Sequence, residues 1–337
     1  MKKKYIQGNY PDKFTAGGKA KIDAEEVANK LGYNNCGLKR TYYKSQSIAV
    51  NLRYLLSRIK VWFGLKQNSL LFFQFPSTKA VKFERIAKAR NCKIIMLIHD
   101  LMSPRGHIRK SELECLSLAD VLIVHTEAMK QWLISQGIDK PYVVLEIFDY
   151  LNATDSPLPD DYNTIKVAFA GNLGKSNFLD KLSFNNITLQ LFGIGFEKRN
   201  LKSGISYIGC YPPDHLAEHI KAHYGLVWDG DSIDTCDGER GEYLRLISPH
   251  KLSMYLSAGI PAIVWEDSAM ANFVKEYEVG LTIKSLEELD TLLPSIPADE
   301  YNKMRKNVST LSKSLGNGHY LTSAIKKAEE ILMNNGK

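Results

Sequence analysis

Residues 225–265 read GLVWDGDSIDTCDGERGEYLRLISPHKLSMYLSAGIPAIVW, and this stretch decides the fold. Gly225 to Trp228 is short and apolar, and a loop crowded with Asp and Gly follows. Ser248-Pro249 then opens a helix that closes at Ala258-Gly259, before a second apolar run at 262–265. Strand, helical return and strand make a parallel unit, because parallel neighbours need a long crossover. The helix start is also a ready anion site. With Ser248 as N-cap and Pro249 at the first helical position, unsatisfied N–H groups and the positive end of the helix dipole face the loop, joined by Lys251. A diphosphate fits there. An ordinary helix start followed by an ordinary Ala-Gly-Ile-Pro turn has the same letters, so context must decide.

Working outward, short β-branched runs alternate with helical patterns along the whole chain, the signature of parallel sheets wound with helices. Strands are expected near 4–7, 70–74, 93–98, 121–124 and 143–145, then near 165–170, 188–192, 205–208, 225–228, 262–265 and 280–282. The polar, proline-containing residues 152–163 interrupt the series and read as a linker. The expected architecture is α/β: two Rossmann-like domains facing each other across a cleft, residues 1–152 and 160–318, with ligands at the carboxyl ends of the strands. A last helix in residues 319–337 is expected to pack back on the first domain.

Bulk properties agree with two domains, since 337 residues exceed what one core usually supports. No apolar run reaches spanning length and MKKKYIQGNY lacks a signal-peptide core, so a cytoplasmic chain is expected. Five scattered cysteines, free of C-x-x-C spacing, argue against a disulfide frame or a zinc cluster. The net charge of +7 is spread thinly and suits anionic small molecules or an acidic membrane face. No nucleic-acid motif accompanies it, and no nucleic-acid partner is expected.

Several segments place chemistry at strand ends. The glycine-bearing loop 8–18 after the first strand lets backbone approach a ligand, although it is not G-x-G-x-x-G and also suits a plain turn. The strand at 93–98 delivers His99 and Asp100, of which Asp100 is the first candidate for a general base and His99 the second; structural capping is the competing duty. In the second half, Gly171, Asn172 and Gly174 end a strand with Lys175 behind them, a cation where phosphates would lie. Tyr211 offers a stacking surface for a base, or else packs in the core. The loop with Asp229, Asp231, Asp234 and Asp237 lacks EF-hand spacing and reads as a hydroxyl-binding loop for sugar or ribose. His215, His219 and His223 recur every four residues, but no partner ligand accompanies them, and no metal site is expected. Residues 54–66 interleave Arg58, Lys60 and Lys66 with Trp62, Phe63 and Leu65. A helix there could lie in a membrane interface, but the preferred reading turns its apolar face to the core of the first domain.

Taken together, Thr15-Ala-Gly-Gly-Lys-Ala20, Leu97-Ile-His-Asp100, Phe148-Asp-Tyr150, Ala170-Gly-Asn-Leu173, Gly225-Leu-Val-Trp-Asp-Gly230, Ser248-Pro-His-Lys-Leu252 and Ser257-Ala-Gly-Ile-Pro261 resemble bacterial glycosyltransferases of the two-Rossmann-domain (GT-B) type. The likeness is to β-1,6-galactofuranosyltransferases and to glucosyltransferases that extend N-acetylglucosamine on serine-rich adhesins. It implies a UDP-hexose donor in the second domain, near Lys175, Tyr211 and the start formed by Ser248, Pro249, His250 and Lys251. It also implies a saccharide or glycan acceptor against the Thr15, Gly17, Gly18 stretch and His99-Asp100, with the product going to surface polysaccharide or glycoprotein glycan. UDP-sugar would be a co-substrate, with no cofactor. Many such enzymes carry a Glu shortly before the Ala-Gly-x-Pro turn; here Met254 and Tyr255 stand there, so Asp229 and Asp231 are assigned the hydroxyls. Metal-independent inverting transfer is expected. A non-catalytic sugar-nucleotide-binding or partner subunit and a sugar-nucleotide epimerase are the alternatives; homo-oligomers and a peripheral seat on the inner membrane face stay open.

Overall fold

The computed structural model describes residues 1–8, 16–41, 48–77, 80–106, 108–153, 155–157, 164–196 and 200–334. The chain divides into two compact units, Met1–Ile147 with Gly318–Lys337, and Phe148–Asn317.

The first unit runs β1 (Lys3–Tyr5), α1 (Ala16–Lys30), β2 (Asn34–Asn35), α2 (Ile48–Gly64), β3 (Leu70–Phe75), α3 (Ala80–Ala89), β4 (Lys93–Ile98), α4 (Lys110–Ser117), β5 (Val121–Val124), α5 (Glu127–Ser135) and β6 (Tyr142–Val144). The strands pair in parallel in the order β2-β1-β3-β4-β5-β6. β3, β4 and β5 are buried almost throughout, which is why they read as continuous apolar runs rather than alternating ones.

The second unit continues with β7 (Ile165–Asn172), β8 (Ile187–Ile194), β9 (Ile205–Gly209), α6 (Pro213–His219), β10 (Tyr224–Val227), α7 (Gly238–Gly241), α8 (His250–Ser257), β11 (Ala262–Trp265), α9 (Ala271–Glu276), β12 (Gly280–Ile283), α10 (Leu289–Ser295) and α11 (Ala298–Gly316). Its sheet, also parallel, has the order β12-β11-β10-β7-β8-β9. Counted from β7, that is the 3-2-1-4-5-6 order of a Rossmann fold. Its core gathers Phe169, Phe178, Trp228 and Trp265, all fully buried or nearly so.

The last helix, α12 (His319–Asn334), packs on β4, β5, β6 and α1 of the first unit and buries Leu321, Ala324, Ile325, Ala328 and Leu332. Glu329 fastens it there, accepting hydrogen bonds from the Lys3 ammonium at 2.8 Å and the Tyr33 hydroxyl at 2.8 Å.

Three expectations need correction. Chain division falls at Ile147 rather than after 152, because Phe148, Asp149, Tyr150 and Leu151 are buried with the second unit and Tyr150 N–H bonds to Leu315. A short strand, β2, pairs with β1 where no strand was expected. Most pointedly, α2 does not give its apolar stripe to the core: it buries only Tyr54, Ser57 and Val61, and leaves Leu55, Leu56, Ile59 and Phe63 exposed.

Candidate active site

Each sheet has one place where the strand order reverses, the point at whose carboxyl ends folds of this kind bind their ligands. In the second unit this point lies between β7 and β10. β10 is paired with β7 through only Tyr224↔Val167 and Gly225↔Ala168. Past that register the Tyr255 hydroxyl enters the fork, donating to the Ala168 carbonyl at 3.1 Å and accepting from the Ala170 N–H at 2.7 Å. Burial raises the phenol far above its usual range, so it stays neutral. Gly225 makes room for that ring: a Cβ on it would stand 2.2 Å from Tyr255 Cγ.

Lys251, in the first turn of α8, closes the same fork from above. Its ammonium donates to the Trp228 carbonyl, just past β10, at 3.0 Å and sits 5.0 Å from the Phe169 ring centroid on β7. The helix start differs from the expected one. Pro249 in extended conformation is the N-cap and His250 the first helical residue, with no side-chain hydrogen bond at the cap. Ser248, assigned as cap, is instead buried. The first turn of α8 is therefore without a side-chain cap. The His250 ring packs against those of Phe148 and Tyr150, at centroid distances of 5.3 and 5.6 Å.

The two loops flanking the fork are tied together. Gly171 and Asn172 end β7 and are exposed, and Lys175 follows, also exposed, in a short 3-10 turn. Arg240 donates to the Lys175 carbonyl at 3.2 Å, and Asn177 donates to Asp231 Oδ1 at 2.8 Å. Lys175 and Lys251 thus follow adjacent strands at one edge of one sheet. Asp237 organises the acidic loop from within, accepting from the N–H groups of Asp231 at 2.7 Å and Ser232 at 2.9 Å. Burial opposes its ionisation, but those amide donors outweigh it and hold the carboxyl below the usual range. Asp229 Oδ1 accepts from Gly230 N–H at 3.0 Å. Gly193, paired with Gly171 near the end of β8, has a packing reason: at φ +134° a Cβ there would meet the Gly171 carbonyl oxygen at 1.8 Å.

Two assignments fare differently. Tyr211 is stacked on His219, with centroids 3.6 Å apart and planes at 13°, so that neighbour already occupies one of its faces. The histidine series does not share a helix face, because His223 lies beyond α6, where its Nδ1 accepts from Lys166 N–H at 3.0 Å, and His215 pairs with Glu218. Among the described residues no group of three or more His, Cys, Asp or Glu side chains is placed to hold a metal ion.

In the first unit the order reverses between β1 and β3. α1 turns Lys21 and Glu25 to this point. Glu25 accepts from the Gly8 N–H at 3.0 Å, from Gln7 Nε2 at 3.2 Å and from the Arg40 guanidinium. Lys21 donates to the Pro76 carbonyl beyond β3. Burial pulls its ammonium down to about 8, against the opposing pull of Asp100 and Glu25. His99 Nε2 is 2.7 Å from Gln74 Oε1, and the Gln74 amide nitrogen donates to the Lys21 carbonyl, so His99 carries its proton on Nε2. Asp100 Oδ1 accepts from Arg105 at 2.5 Å and from Leu101 N–H at 3.0 Å. Gly17, in the first turn of α1, is exposed, with nothing within 4 Å of an added Cβ; Gly18 is buried. Thr15 lies outside the described residues.

This pair of parallel sheets belongs to a known kind of chain. Residues 3–147 match the glucosyltransferase 3-like N-terminal domain and residues 167–328 the glucosyltransferase 3-like C-terminal domain. The chain belongs to the glucosyltransferase 3-like family. The β-1,6-galactofuranosyltransferase WbbI of Escherichia coli is 29% identical over 78% of this chain and 80% of its own length. Glucosyltransferase 3 of Streptococcus gordonii is 28% identical over 89% of this chain and 90% of its own. Among solved structures, the sucrose-phosphate synthase of Thermosynechococcus elongatus superposes with a TM-score of 0.63 at 12% identity, covering 99% of this chain and 100% of that one. The Anabaena protein HepE, solved with UDP-glucose, gives 0.61 at 13% identity over 98% and 99%. This glucosyltransferase 3-like chain therefore has the GT-B fold and is a glycosyltransferase.

Sequence reasoning missed Tyr255 in the fork, Arg105 on Asp100 and the Lys21–Gln74–His99 chain, and it read Asp237 as part of a hydroxyl-binding loop where the structure has it organising that loop. A residue-level signal existed for one of them. Tyr255 falls in the helix that leads to the Ala-Gly-Ile-Pro turn, where a bulky polar-tipped side chain opposite Gly225 suggests a ring over a glycine.

Proposed function

We propose that the chain transfers a hexosyl group from a UDP-hexose to a hydroxyl of a saccharide acceptor, with inversion at the anomeric carbon. One observation carries the donor side: Lys251 and the first turn of α8 are held at the β7/β10 fork, with Lys175 at the same sheet edge. As the bond from anomeric carbon to diphosphate oxygen breaks, the charge growing on the leaving UDP meets two ammonium groups and the helix N–H groups. The reading uses cations of the chain and needs no metal ion. Asp229 and Asp231 are assigned sugar or ribose hydroxyls. The first unit is assigned the acceptor, against Gly17 and Gly18. The attacking oxygen forms the new bond to the anomeric carbon and its proton passes to Asp100, a carboxylate that Arg105 and the Leu101 amide orient. The relatives support a hexose, since their names specify glucosyl and galactofuranosyl transfer.

The test is a panel of UDP-sugars followed by thermal unfolding, then transfer assays with and without a chelator. A bound donor raises the midpoint by linkage. Asp100→Asn should keep that shift and lose at least about a hundredfold in transfer rate. No shift with any UDP-hexose, or an Asp100→Asn enzyme of wild-type rate, would overturn the assignment. Loss of transfer on chelation would remove the metal-free step.

A further inference from the structure

Helix α2 presents its broad apolar face to solvent. Ile48, Leu52, Leu55, Leu56, Ile59 and Phe63 are all exposed, Phe63 by 75%. At the pitch of an ideal helix they fall within an arc of about 120° centred on Ile59. The buried Tyr54, Ser57 and Val61 lie on the opposite side. Arg53 and Lys60 border the arc along one edge and Arg58 along the other, and the helix carries no Asp or Glu. Trp62 is also partly exposed, with the Arg90 guanidinium 5.1 Å from its ring centroid. Beside it, Leu55, Ile59, Trp62 and Phe63 meet Ile86 of α3 to form a shallow apolar hollow of about 330 Å³. Contiguous apolar surface of this kind, rimmed by charge of one sign, marks a surface that something covers.

We propose that this face seats the protein on an anionic lipid bilayer, α2 lying in the plane of the interface. At 17 residues the helix is set beside the membrane rather than through it, and among the described residues no helix is long and apolar enough to cross one. In that pose the apolar arc enters the acyl boundary, the two basic edges reach the headgroups on either side, and Trp62 and Phe63 lie at the depth aromatic rings favour. Charge decides against a second copy of the chain as occupant. A two-fold contact would set Arg53, Arg58 and Lys60 against their own duplicates, with no carboxylate on the helix to answer them.

Co-sedimentation of the full chain with vesicles tests this, using phosphatidylcholine alone and phosphatidylcholine with phosphatidylglycerol. Wild-type protein should partition to the anionic vesicles, less so as salt rises. The double variant Leu56→Glu/Phe63→Glu changes only exposed positions and should bind at least about tenfold more weakly. Arg58→Glu/Lys60→Glu should lose the preference for phosphatidylglycerol. Unfolding midpoints and transfer to a water-soluble acceptor should be unchanged in both. Three results would overturn the proposal: wild type left in the supernatant at low salt, equal binding by the Leu56→Glu/Phe63→Glu variant, or a dimer in sedimentation velocity that this variant dissolves.

Discussion

The Lys251 ammonium donates to the Trp228 carbonyl at 3.0 Å, which fixes a cation from α8 over the end of β10. A lysine held in this way is preorganised, so charge arriving at the fork meets it with little rearrangement. Lys251→Ala is expected to lower the transfer rate by about a hundredfold to a thousandfold and to abolish the UDP-dependent rise in melting temperature. Steady-state kinetics and donor titration check this, with circular dichroism confirming that the fold persists.

Gly17 separates stability from acceptor binding. Nothing in the fold occupies the space of a Cβ there, and alanine is the better helix former. Gly17→Ala should stabilise the protein by about 0.5 kcal/mol in urea unfolding. If backbone must approach the acceptor at this turn, the same change should raise the KM for acceptor and leave donor affinity alone.

The Tyr255 hydroxyl serves two backbone groups at once. Tyr255→Phe leaves the buried Ala170 N–H without its acceptor and should destabilise by about 1–3 kcal/mol. Gly225→Ala forces a methyl into the ring itself and should cost about 3 kcal/mol. Combining the two should cost less than the sum, because a ring displaced by the methyl has already given up hydrogen bonds that phenylalanine would remove.

Glu84, fully buried on α3, receives a hydrogen bond from the Cys115 thiol at 3.0 Å, and burial pushes its carboxyl up to about 7. Between the ordinary value of 4.5 and that point the folded protein keeps a proton that the unfolded chain has lost. Stability must therefore fall as pH rises across this interval, and the full penalty persists above pH 7. Glu84→Gln should flatten the profile, gaining about 3 kcal/mol at pH 8 and little at pH 4.5. Urea midpoints across that range supply the measurement.

Most strands were legible because buried parallel strands are nearly continuous runs of large apolar residues, as in Leu70–Phe75 and Lys93–Ile98. β2 was not, since Asn34-Asn35 has no apolar signal and exists only through its pairing with β1. Gly171, Asn172, Lys175 and Lys251 could be placed at strand ends from the alternation alone. Their coupling could not. Arg240 meets Lys175 across 65 residues, and Tyr255 reaches Ala168 across 87. For α2, periodicity announced an apolar stripe and its basic borders, but a stripe looks the same whether it faces core or solvent.

The return of α12 to the first unit sets an order of assembly during synthesis. Strands β1–β6 leave the ribosome early, yet the helix that covers β4, β5 and β6 and neutralises Lys3 emerges only after every residue of the second unit. The nascent first unit must wait, with part of its sheet uncovered, while the later-made half has everything it needs to complete itself first.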